Sequence, residues 1–110
     1  MRIIKHFDND SVTDGGTFSG EWTADKDYII KYILVKRKDG AAFTKSTITI
    51  RIDGKPVTRD LALCNTFGTD ILNALPMDID FPKDHKFEYS GTNNEGSTVD
   101  IAVELVLDEK

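Results

Sequence analysis

Thr47-Ile48-Thr49-Ile50-Arg51-Ile52 is the stretch that decides the fold class. Isoleucine occupies every second position, so the segment has one apolar and one polar face at a period of two residues, as a strand half-buried in a sheet requires. Every residue except Arg51 is β-branched and suits a pleated surface. Asp53-Gly54 follows, a dipeptide that accepts the positive φ angles of a tight hairpin turn, and the chain is expected to return as a strand from about Val57 to Leu63.

The same alternation recurs outward from this hairpin. Downstream, Phe87 and Tyr89 alternate with Lys86, Glu88 and Ser90, and Val99, Ile101, Val103, Leu105 and Leu107 alternate with Asp100, Ala102, Glu104 and Val106. The polar tract Ser90–Ser97 joins these two segments as a hairpin with a long loop. Upstream, Phe18, Gly20 and Trp22 alternate with Thr17, Ser19 and Glu21, and Tyr28–Val35 is apolar on both faces, as befits a central strand. Short strands at Ile3–Phe7 and Met77–Phe81 complete a set of about eight. Thr69–Leu75 breaks the pattern, with Thr69 as N-cap, Ile71, Leu72 and Leu75 on one helical face, and Pro76 as terminator. It reads as a short helical loop plugging one end.

The expected fold is therefore all-β, an antiparallel two-sheet sandwich of about eight strands. Jelly-roll topology is preferred because the loops at 8–16 and 64–76 suit strands that cross between sheets, and an immunoglobulin-like sandwich comes second. The predicted core contains Phe18, Trp22, Ile30, Ile48, Ile50, Ile52, Phe87, Tyr89, Ile101, Val103 and Leu105.

At 110 residues the chain fits a single domain spanning 1–110. Fourteen basic against 19 acidic residues give a net charge of −5, a surface that repels phosphate backbones and anionic lipid, so neither nucleic acid nor a membrane is an expected partner. The first residues lack the apolar run of a signal peptide, so cytoplasmic synthesis is expected. One cysteine, Cys64, builds neither an internal disulfide nor a Cys-based zinc site.

The candidates for chemistry are sparse. Asp8-Asn9-Asp10-Ser11-Val12-Thr13-Asp14 is acidic enough to suggest calcium, but Val12 and Thr13 stand where an EF-hand loop needs a ligand and a glycine. Asp78 and Asp80 share one strand face, the wet side of Met77, Ile79 and Phe81. His6 and His85 have no metal-ligand neighbour at close spacing, and Cys64 lacks a sequence-adjacent base. Trp22, Tyr28, Tyr32 and Tyr89 are candidates for stacking on sugars, although Trp22 shares its face with Phe18, and Tyr89 with Phe87. No catalytic residue, metal ligand or cofactor is predicted, and the chain is not expected to be an enzyme.

In its order of segments the chain resembles the small single-jelly-roll structural proteins of viruses, the capsid, decoration and fibre-head modules. Gly16–Trp22 leads to the apolar strand Tyr28–Val35, then Ile48–Gly54, then Leu75–Phe81, then the closing pair Lys86–Thr92 and Thr98–Leu107. The resemblance implies a non-enzymatic virion protein acting through contacts with its own copies or other virion subunits. The alternative is a carbohydrate-binding sandwich module. Surplus apolar residues on the faces turned away from one core, Ile29, Ile33 and Val35 on one strand with Ala102 and Val106 on the last, are the expected subunit interface of a homo-oligomer, with a trimer first.

Overall fold

The computed structural model describes residues 2–57, 62–64 and 77–110, and the helical loop predicted at 69–75 lies outside them. Its strands are β1 (Arg2–Val12), β2 (Thr17–Thr23), β3 (Tyr28–Arg37), β4 (Thr47–Ile52), β5 (Lys55–Pro56), β6 (Ala62–Leu63), β7 (Ile79–Phe81), β8 (Lys86–Thr92) and β9 (Val99–Glu109). They form two antiparallel sheets, one ordered β1-β9-β3-β7 and the other β2-β8-β4-β5, with β6 also on β4. Because β8 pairs along the whole of β4, the pieces β5 and β6 must share its other edge, opposite Ile52 and Arg51 and opposite Ile48 and Thr47. They lie along the same edge, so each sheet is four strands wide. The all-β antiparallel sandwich expected from the alternation is what forms.

The pairing is nested. β1 lies beside β9, β2 beside β8, β3 beside β7, and β4 beside β5 and β6. The chain thus behaves as one long double-stranded ribbon folded over into two layers. Its innermost turn is the expected one, with Asp53 at φ 53° and Gly54 at φ 79°.

Isoleucines 48 and 50 of β4 are fully buried and share one core cluster with Ile101, Val103 and Leu105 of the facing sheet's β9. Aromatic side chains bridge the layers at two places. Phe7 of β1 meets Phe87 and Tyr89 of β8, with ring centroids 5.7 and 5.4 Å apart, while Trp22 of β2 meets Tyr28 and Phe81 at 5.7 and 5.8 Å. Every residue of the predicted core is buried except Trp22, which is partly buried and packs against the cluster.

Two local expectations are corrected. The first strand does not stop at Phe7: β1 continues through the acidic tract to Val12, because Asp8 and Asn9 pair with Ala102 and Ile101 of β9 before the register shifts at Ser11, where φ is 55°. In β3 the register against β9 shifts between Ile30 and Tyr32. This bulge inserts Lys31 and reverses the alternation, so Tyr28, Ile30, Ile33 and Val35 all join the core cluster.

Candidate functional site

The bulge redraws the surface expected to serve as an interface. Ile33 and Val35 are core residues and offer nothing to a second subunit, which corrects their assignment. Ile29 keeps its place on the outer face of the first sheet, opposite Asp108 of the Arg2–Asp108 ion pair. Ala102 and Val106 also lie on that outer side, outside the core cluster, yet both are buried. Val106 sits between Ile4 and Tyr32 in one cross-strand row. Of these, Ile4 stands out at 59% exposed, and Arg2 lies 5.9 Å above the Tyr32 ring.

Around this apolar row the outer face is a lattice of opposite charges. Glu104 accepts from His6 at 3.0 Å and from Lys36 at 2.5 Å, His6 also bonds Asp8 at 2.7 Å, and Lys38 reaches both Asp8 and Asp10 at 2.6 Å. The hydrogen bonds to Glu104 and then to Asp8 outweigh burial and raise the pKa of His6 above its ordinary 6.5. A group whose folded pKa is raised stabilises the fold below the unfolded value and loses that contribution as pH climbs through the folded one. An NMR titration should therefore place His6 above 6.5, with Glu104→Gln returning it toward 6.5; a native value at or below 6.5 would remove this account.

At one end of the sandwich, buried polar groups stitch the loops together. The Glu95 carboxylate accepts from the amides of Thr44, Lys45 and Ser46 at 2.8, 3.0 and 2.9 Å, and from the Thr44 and Ser46 hydroxyls at 3.1 and 2.8 Å. Arg37 adds its charge at 3.6 Å. Burial alone would raise the carboxyl's pKa, but these bonds bring it down to about 2. Buried Asn93 donates to the carbonyls of Val12 and Ser97, both at 2.9 Å, tying the start of the β1–β2 turn to the β8–β9 loop. Reading the 90–97 tract as a polar loop missed both roles; an acidic residue in a loop carries no signal of what will donate to it.

The other end holds a cleft of about 290 Å³ where β5 and β7 face each other. Ile52, Val57 and Ile79 form its apolar floor, and Asp53, Asp80 and His85 its polar rim. His85 Nδ1 lies 3.6 Å from Asp53, and Asp80 is held by Lys110 at 3.0 Å. Apart from the His85 ring, the described lining contains no aromatic group on which a sugar could stack.

The remaining candidates are dispersed. Cys64 is buried, and burial first, with the nearby Glu95 charge second, pushes its thiol up to about 12, far from the thiolate a nucleophile needs. Neither histidine bonds it among the described residues. Asp78 pairs with Lys31, and Asp14 accepts from the Gly96 amide at 2.9 Å. The acidic tract is thus divided among Lys38, His6 and a loop amide. Of the candidate aromatics, Tyr28 and Tyr89 are buried, and Trp22 lies beneath Lys5 at 5.6 Å.

The strand edges differ sharply in how they meet solvent. An edge strand presents unpaired backbone groups to any passing strand, and proteins blunt it with prolines, bulges, short length or inward-pointing charge. β1 has an inward Lys5, between Ile3 and Phe7 on the core side, and a bulge at Ser11. β7 is three residues long and runs into Pro82. β5 is two residues long and contains Pro56. β2 has none of these devices: seven residues pair with β8 in unbroken register, and its inward positions are Phe18, Gly20 and Trp22. No family model matches the chain, and neither does any curated protein.

Proposed function

We propose that this protein is a non-enzymatic assembly subunit, of the kind that builds a virus particle as a capsid, decoration or fibre-head module, and that its partners are its own copies or other virion subunits. The observation that carries this reading is the open edge of β2, a strand left able to accept another strand in a sandwich whose other described edges are blunted. The nested pairing of β1 with β9, β2 with β8, β3 with β7 and β4 with β5 and β6 supports jelly-roll topology over an immunoglobulin-like one. The stitched loops at Glu95 and Asn93 favour a rigid building block. The carbohydrate-binding alternative draws less support, since Tyr28 and Tyr89 are buried and the described lining of the cleft at Asp53 holds no stacking platform.

Light scattering on the isolated chain, from low micromolar to the highest soluble concentration, should give masses that are multiples of 12.3 kDa and rise with concentration. A mass that stays at 12.3 kDa throughout would overturn the proposal. Retention of that monomer on immobilised glycans would shift the reading to the carbohydrate-binding alternative.

A further inference from the structure

We infer that two copies of the chain join through β2 about a two-fold axis at Gly20, continuing the second sheet across the interface. The inference rests on the assembly reading and names its contact. In an antiparallel strand the N–H and C=O of one residue point the same way and alternate along the chain. Ala24 donates to the His85 carbonyl and accepts from the Asp84 amide, both at 2.9 Å, so even-numbered residues direct their groups at β8. Thr17, Ser19, Glu21 and Thr23 therefore point theirs outward. The Ser19 amide agrees with this parity, since it reaches sideways to Asn9 Oδ1 on β1 at 3.3 Å. That bond is long, and Asn9 keeps a second bond, of 2.5 Å, to the Tyr89 hydroxyl. The amides of Thr17, Glu21 and Thr23 have no partner among the described residues.

One self-complementary register uses all four outward residues. Centring the axis on Gly20 sets Thr17 opposite Thr23 of the second copy and Ser19 opposite Glu21, each pair exchanging two backbone hydrogen bonds. On the inner side Phe18 stands opposite Trp22 of the second copy, but its ring is buried over Gly91, so the backbone bonds carry the contact. At the axis itself Gly20 faces Gly20, and no Cβ intrudes where each copy's own Tyr89 ring lies across the glycine. Moving the axis to Glu21 would set two carboxylates opposite one another, and moving it to Ser19 would strand Thr23. In the Gly20 register Glu21 faces a serine and keeps its ion pair with Lys86 at 3.1 Å. A two-fold contact uses β2 on both copies and closes on itself, and the blunted β1, β5 and β7 edges give it no route to a fibre.

Glu21→Pro tests the contact, because proline removes an outward amide and leaves the β8 ladder intact. Light scattering should show the dimer constant of Glu21→Pro weakened roughly a hundredfold, two interchain bonds being lost per dimer, while Glu21→Gln dimerises like the native chain. If Glu21→Pro fails to fold, cysteine pairs decide. Under mild oxidation, copies carrying Thr17→Cys mixed with copies carrying Thr23→Cys should cross-link to twice the subunit mass, and neither should do so alone; native Cys64 is buried. Oligomers that form without this cross-link and survive Glu21→Pro would overturn the β2 contact and leave the assembly reading standing. A strict monomer would overturn both.

Discussion

Gly91→Ala is expected to destabilise the domain by about 3 kcal/mol, a large share of the roughly 5–15 kcal/mol that holds a domain of this size together. Gly91 lies opposite Phe18 in the β2–β8 ladder, and the Phe18 ring lies across it. A Cβ at position 91 would come within 2.7 Å of ring atoms Cε1 and Cε2, well inside van der Waals contact. Phe18 is only 2% exposed and packs beside Tyr89 at 6.3 Å, so the ring can move aside only by opening the core. The reciprocal arrangement holds two residues on, where Tyr89 lies across Gly20 at 2.7 Å from the site of its missing Cβ. Urea unfolding reads the cost. Phe18→Leu should recover part of it in the Gly91→Ala background, although it destabilises the native protein, and simple additivity of the two substitutions would refute the proposed clash.

The second large effect belongs to Glu95. Glu95→Ala should cost about 3–5 kcal/mol, because it strands the Thr44, Lys45 and Ser46 amides around a carboxylate that is only 1% exposed, while Arg37 keeps its ion pair with Asp39 at 2.6 Å. The same group makes stability depend on acid. Its pKa is about 2 in the fold against 4.5 for the free side chain. A depressed pKa gives stability that is fully present above the unfolded value and is lost as pH falls through the folded one. Between pH 5 and pH 2 the native chain should thus lose about 3 kcal/mol through this carboxyl, since each tenfold difference in proton affinity between the folded and unfolded chain is worth about 1.36 kcal/mol. Chemical denaturation across that range should show a shallower slope for Glu95→Gln, and an unchanged slope would remove Glu95 as the cause.

How far the chain could be read in advance depended on whether a residue's fate is local. Ile48, Ile50 and Ile52, or Ile101, Val103 and Leu105, declare a buried face by alternation, since successive side chains of a strand must point to opposite sides. Asp53-Gly54 declares its own turn, because few other pairs accept two positive φ angles. Ile33 and Val35 could not be placed that way. A single bulge at Lys31 reversed the faces behind it, and the bulge is set by registry against β9, more than sixty residues further along the chain. Asp8 and Asp10 likewise read as loop residues until β9 supplied a partner strand and Lys38 a partner charge.

By itself, then, the sequence determined that this chain forms strands, where most of them lie, which side of the regularly alternating ones is apolar, and that its surface is acidic. These properties follow from steric period, turn chemistry and charge, which act between near neighbours. The tertiary structure alone decided the nested order of the strands, the burial of Ile33 and Val35, the fit of Phe18 and Tyr89 over Gly91 and Gly20, the carboxylate clasp at Glu95, and the exposure of β2 as an open edge. Each of these depends on what stands across a sheet or between two sheets. A side chain meets that partner only after loops of many residues have closed, so no local pattern can name it.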